Sequence, residues 1–205
     1  MSDVYRMPHE TGKNVADVTL VDDIGSKSID RAKKILAGFP RGAEKAIGSA
    51  LKRAAQSAEA YAAQAVGKEY YVKAGDFKSY TKTKKHYTTT AGSTSAEIEF
   101  CGYHIPLIKF DTRVSRDGRV VTRVMRSSER STLDHVFSAS MGSHVGLYER
   151  VGKKRLPVQE LFGPSTVQMM SSNDDVEQEM GDKLREVFDS RLEHEITAIL
   201  NGWRK

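Results

Sequence analysis

Chemistry in this chain would have to be assembled from six histidines, at positions 9, 86, 104, 135, 144 and 194, a single cysteine, Cys101, and the acidic pair Glu97 and Glu99. A zinc site needs several His or Cys ligands at fixed spacing; here no cysteine accompanies the histidines and no two of them stand four apart. His194 and Glu195 adjoin on a helical pattern without a second ligand one turn away. Glu97 and Glu99 share one face of a strand, as paired carboxylates of a divalent-metal nuclease would. The same alternation with Ile98 and Phe100 describes a half-buried strand whose acids face water. Cys101 sits in the apolar run EIEFCGY and reads as a small packed hydrophobe without local activation. No Gly-x-Ser-x-Gly elbow occurs. Residues 142–146, Gly-Ser-His-Val-Gly, lack the Lys-Ser/Thr ending of a phosphate-binding loop and do not introduce a helix. The expectation is a protein that is not an enzyme, with no catalytic residues, no cofactor and no metal site.

Phosphate contact has a better-populated candidate. Lys73, Lys78, Lys82, Lys84 and Lys85 interleave with Phe77, Tyr80, His86 and Tyr87, and arginines crowd residues 113–130. Lysines meet phosphates and rings stack bases, although the exposed face of an ordinary strand carries the same alternation. The net charge of +5 and pI near 9.2 allow non-specific contact with DNA without demanding it. Residues 41–90 hold ten Lys or Arg against four acids, whereas residues 171–205 hold nine acids against five bases. Such asymmetry suits head-to-tail contacts between copies of one chain; it also suits two solvated faces of unlike charge.

The elements that must position these residues follow from periodicity. Residues 1–27 are polar, without sustained period, and read as an extended or flexible arm; residues 28–205 read as a single α+β domain. Ser28 is the expected N-cap of a first helix that runs to about Ala37, and Pro40 suits the first turn of a second. In that second helix Ile47, Leu51, Ala54, Ala58, Tyr61, Ala62 and Ala65 recur at three- and four-residue steps, with Gly67 as its stop. The period then turns toward two. Residues 70–73 read as a strand, 76–80 as a helical turn, 81–90 as a Thr-rich strand and 91–95 as a turn. Pro106 marks an edge or a bulge, and Asp117-Gly118 closes a hairpin between 113–115 and 119–126. A final helix, capped by Ser172 or Asn173, carries one apolar stripe of Val176, Met180, Leu184, Val187, Phe188, Ile196, Ile199, Leu200 and Trp203. Helices at both ends of a mainly antiparallel sheet make an α+β plan. No apolar run is long enough to span a bilayer and no secretory leader stands at the N-terminus, so no membrane partner is expected.

Residues 144–170, HVGLYERVGKKRLPVQELFGPSTVQMM, are dense in pattern yet poor in chemistry. Residues 144–151 read as a strand, 152–154 as a turn, 155–158 as the start of a return strand, and Gly163-Pro164 as a tight loop with Leu161 and Phe162 on its tip. Lys153, Lys154 and Arg155 are expected as exposed polar contacts. Leu161 and Phe162 are expected to be buried, either in the domain's own core or at a subunit boundary.

That stretch, together with YYVKAGDFKSYTKTKK at 70–85 and IPLIKF at 105–110, resembles the phage and prophage minor tail protein Z family of tail-completion or neck proteins of long-tailed phages. The resemblance runs in element order over residues 29–203, with KKRLP at 153–157 and ELFGPS at 160–165 as its most specific part. It implies a structural virion protein without catalytic activity, which forms a hexameric ring at the head-proximal end of the tail and supports head–tail joining. The partners implied are other copies of the chain and the neighbouring tail terminator, tube and head-completion proteins. Assembly would take place in the bacterial host cytoplasm. Residues 111–132, with an Arg-Asp-Gly-Arg hairpin, and the first 27 residues have no counterpart in that pattern. The alternative reading is a DNA-binding accessory protein that uses the basic segments 73–85 and 113–130 for non-specific contact with genomic DNA.

Overall fold

A computed structural model describes residues 5–8, 17–21, 24–90, 93–142, 144–172 and 174–203, with side chains for 24–86, 97–142, 144–172 and 176–203. His9 and Tyr87 lie outside the residues whose side chains are described. The fold is α+β, with antiparallel sheets throughout the described pairings. The chain groups into two compact units whose segments interleave in sequence, one of residues 1–17, 63–82 and 101–173, the other of 18–62, 83–100 and 174–205.

The second unit is built on helices α1 (Ser26–Ile35), α2 (Gly42–Glu69) and α5 (Asp174–Leu200). On α5, Val176, Met180, Leu184, Phe188, Leu192, Ile196 and Ile199 are buried, a stripe at steps of four and three. On α2 the opposing face is alanine-rich, with Ala46, Ala50, Ala54, Ala58 and Ala62 all at zero exposure beside Ile47, and such small side chains let helices approach closely. Gly42 lies beside Ile199, Ser49 Oγ donates to Glu195 Oε1 at 2.9 Å, and Tyr61 donates to Glu179. Ascending positions on α2 thus meet descending ones on α5, and the two run antiparallel.

Several expectations at these helices are corrected. α1 starts at Ser26 rather than after Ser28, and its N-cap is Gly25 at φ 64 without a side-chain cap. A Cβ on Gly25 would stand 2.8 Å from the Phe188 ring, so tertiary packing and the left-handed backbone both select glycine there. Pro40 lies in the turn before α2 rather than in its first turn, and α2 passes through Gly67 to Glu69. Leu200, the last residue of α5, and Trp203, beyond the helix end, leave the stripe at 49% and 72% exposure, and Val187 is only half-buried.

Among the described residues the strands divide among three sheets instead of one. β1 (Tyr5–Pro8), β11 (Val158–Ser165), β10 (His144–Arg150) and β9 (Val136–Met141) lie in that order, with β5 (His104–Pro106) also paired to β11. β2 (Asp17–Val21), β4 (Ser93–Gly102) and β3 (Thr81–Thr90) form the second sheet. β6 (Asp111–Val114), β7 (Val120–Arg123) and β8 (Ser131–Leu133) form the third. Within the first 27 residues, Tyr5 pairs with Phe162 and Pro8 with Gln159. The expected strand at 70–73 reduces to a single bridge between Tyr70 and Met125; α3 (Ala74–Ser79) follows at once, and its Phe77 N donates to the Lys73 carbonyl.

The core of the first unit comprises Phe77, Ile105, Leu107, Val120, Leu147, Tyr148, Leu161, Val167, Met169 and Met170, each no more than 4% exposed. α4 (Thr166–Ser171) leaves β11 through a reciprocal cap. Gln168 N donates to Ser165 Oγ at 3.1 Å, and Ser165 N donates to the Gln168 side chain at 3.0 Å.

Candidate functional site

β10 and β11 pair antiparallel, Tyr148 opposite Glu160 and Arg150 opposite Val158, and the chain between them, residues 151–157, is exposed throughout. Val151 N donates to Pro157 O at 3.0 Å and closes the base of the loop. Lys153, Lys154 and Arg155 stand on it in solvent, and so do two apolar side chains, Val151 at 57% and Leu156 at 67% exposure. The loop is longer than the turn at 152–154, since pairing resumes only at Val158.

Leu161 and Phe162 lie on the other side of the question. They are 1% and 9% exposed and belong to the core of their own unit. The tight Gly163-Pro164 loop is also corrected, because both residues sit inside β11 and are buried. Proline has no N–H to give a ladder, and here it falls where the β5–β11 register shifts between Phe162 and Ser165. Gly163 is required by its neighbour: a Cβ would stand 2.7 Å from Cζ of the buried Phe110 ring and closer still to Cε2. His104 Nδ1 and the Gly163 carbonyl lie 3.0 Å apart, which ties β5 to the same place.

Toward the other end of β10, His144 Nε2 meets Glu160 Oε1 at 2.6 Å. Burial raises the Tyr148 hydroxyl above its ordinary pKa, and the nearby Glu160 charge raises it further. A Cβ on Gly146 would stand 2.6 Å from Glu160 Oε1 and 3.0 Å from the Tyr148 hydroxyl. The glycine is there to let these two side chains cross β10.

The remaining candidates separate. Glu99 accepts from Lys84 Nζ at 3.1 and 3.2 Å and lies 3.4 Å from His86 Nε2, so it serves as a cation partner on β3–β4; Glu97 is half-buried on the same strand. Cys101 is buried. Of the lysines in 73–85, Lys82 lies 5.0 Å from the Tyr103 ring centroid, and Asp76 in the same segment holds Lys109 at 3.0 Å. His194 is exposed on α5, while its neighbour Glu195 is 1% exposed and takes Ser49 and Arg191 at 2.9 and 3.0 Å. Among the described residues no group of three His, Cys, Asp or Glu could hold a metal ion, and no helix is long and apolar enough to cross a membrane.

The arginines of the basic segment 113–130 gather around one acid and one ring that the sequence did not point to. Asp111 pairs with Arg123 across β6–β7, and its carboxylate takes Arg130 at 2.8 Å, Arg123 at 3.2 Å and Arg113 at 3.7 Å. Burial pushes the Asp111 carboxyl up, and the hydrogen bond and charge of Arg130, with Arg123 and Arg113 behind them, more than reverse this and hold it below the ordinary carboxylate range. The Tyr71 ring carries two guanidinium groups, Arg123 at 4.3 Å and Arg126 at 4.4 Å from its centroid. Arg123 also donates to the Tyr71 hydroxyl, and Arg126 Nε donates to Gly67 O at 3.0 Å. The backbone sets this up: Tyr71 N donates to Val124 O at 2.8 Å and Arg126 N to Glu69 O at 2.7 Å. The signal available in the sequence was the alternation Asp111, Arg113 and Val121, Arg123 across a hairpin, which puts all four on one face. Tyr71 comes from forty residues earlier and had no such signal.

Compared with protein-family models, with curated proteins and with solved structures, the chain matches none.

Proposed function

We propose that this chain is a structural virion protein of a tailed bacteriophage, a minor tail or tail-completion subunit that oligomerises at the head-proximal end of the tail and supports head–tail joining. The reading rests on the resemblance of residues 144–170 to that family. The observation that carries it further is how those residues divide. Leu161 and Phe162 are interior, while residues 151–157 project three cations and two exposed apolar side chains. Exposed Val151 and Leu156 flanked by Lys153, Lys154 and Arg155 have the make-up of a contact with an acidic surface that offers an apolar notch. Nine acids in residues 171–205 supply such charge on another copy. Contacts of this head-to-tail kind close into a ring when the rotation between subunits permits.

Native mass spectrometry and co-sedimentation with tail tubes of the encoding phage test this. The wild-type chain is expected to form a closed ring, alone or on the tubes. The triple reversal Lys153→Glu, Lys154→Glu, Arg155→Glu is expected to remain folded and to lose the ring. A wild-type chain that stays monomeric and does not sediment with tubes, in a phage whose virions lack density for it in the neck, overturns the proposal.

A further inference from the structure

We propose that the arginine cluster around Asp111 and Tyr71 is a binding platform for the phosphodiester backbone of duplex DNA. This inference stands on the β6–β7–β8 sheet and the Tyr71 segment packed against it, and is independent of the assembly reading. Residues 111–132 contain six arginines and three acids. Three of those arginines, Arg113, Arg123 and Arg130, share the single Asp111 carboxylate, and a fourth, Arg126, stacks on Tyr71. One carboxylate cannot neutralise three guanidinium groups, so positive charge is concentrated there by construction. Folding such like charges together opposes stability unless an anion joins them.

The geometry also favours phosphate over a simple cloud of counterions. The guanidinium fork matches a phosphate's oxygens two at a time. Its cost on binding is the freezing of a long side chain, and that is already met here by the Tyr71 stack, the Gly67 carbonyl and the Asp111 carboxylate. Arg113, Arg126 and Arg130 keep their outer faces in solvent, Arg113 at 68% and Arg130 at 36% side-chain exposure. Duplex DNA presents one negative charge for about every 1.7 Å of its axis, a density that the scattered carboxylates of a protein surface rarely reach. Nothing in the cluster reads base edges, so binding is indifferent to sequence.

Fluorescence anisotropy with the full chain and a labelled duplex of about 25 base pairs, titrated between 50 and 200 mM salt, tests the platform. Three phosphate contacts predict a slope of log K against log salt near −2.7, and so about a 40-fold loss of affinity over that range. Arg113→Ala and Arg126→Ala should each reduce the slope by about 1, while Arg113→Lys, which keeps the charge, and Arg185→Ala on α5 should leave it unchanged. Circular dichroism of each variant separates lost binding from lost fold. Wild-type protein that fails to bind at 50 mM salt overturns the proposal, as do folded Arg113→Ala and Arg126→Ala variants with the wild-type slope. Displacement of the duplex by polyglutamate at equal charge concentration overturns it too, and reassigns the cluster to an acidic protein surface.

Discussion

Gly163→Ala is the substitution that most sharply separates the observed β11 from the tight loop expected at Gly163-Pro164. A new methyl at this position would lie 2.7 Å from Phe110 Cζ and 3.2 Å from Cδ2, with Cε2 nearer than either. Carbon atoms rest about 3.5–4.0 Å apart, so the ring must retreat by about 1 Å. Phe110 is only 6% exposed, and Gly163 sits in a strand paired with β1 on one side and with β10 and β5 on the other. Neither side can yield without disturbing packed neighbours, which places the cost at the upper end of overpacking, about 2–3 kcal/mol. For a chain of this length that corresponds to a fall in Tm of about 5–10 °C. Urea denaturation of the wild type, Gly163→Ala, Phe110→Leu and the double variant forms a cycle. Shortening the ring should remove most of the clash, so Gly163→Ala should cost less than about 1 kcal/mol on the Phe110→Leu background, with a coupling of about 1–2 kcal/mol. In an open loop the same change would be neutral or stabilising by about 0.4–1 kcal/mol, through loss of unfolded-state entropy. A neutral or stabilising Gly163→Ala, or an equal cost on both backgrounds, would refute the packing argument.

Three further outcomes are expected. Ser165→Ala removes one half of the cap on α4 and should lower stability by about 1 kcal/mol in the same denaturation assay, with Ser165→Asp recovering most of it. Glu195→Ala leaves Arg191 and Ser49 without their shared, 1% exposed carboxylate and should cost about 1–3 kcal/mol; a variant as stable as the wild type would show that solvent reaches this site. Asp111 has a folded pKa held below its ordinary value near 3.8, so its stabilising share is present above that value and is lost as pH falls through the lower folded one. Solvent screening keeps that share below about 1 kcal/mol, and an Asp111→Asn variant should show a correspondingly flatter fall in Tm between pH 4 and 2, within that estimate.

Much of the framework was legible because it depends on neighbours in sequence. The Thr-rich run at 81–90 is a strand from end to end, Asp117-Gly118 turns a hairpin, and the α5 stripe is buried from Val176 to Ile199 except at half-buried Val187. Ser165-x-x-Gln168 is a capping-box signature as it stands in the sequence, and it was hidden by reading Gly163-Pro164 as the end of an element. The Asp111 cluster was half legible: its alternating arginines were visible, but Tyr71, which holds two of them, lies far away along the chain.

By itself the sequence determined the alternation of apolar and polar residues, and through it the long helices α2 and α5 and strands such as β3 and β10, since those depend on contacts within a few residues. It also determined that Lys153, Lys154 and Arg155 would be exposed beside a strand. Only the tertiary structure decided that Leu161 and Phe162 belong to their own core, that Gly163 yields its Cβ space to Phe110, and that three arginines converge on one aspartate. Each of these depends on which distant side chain arrives at a given point, and strand pairing sets that, where local propensity cannot.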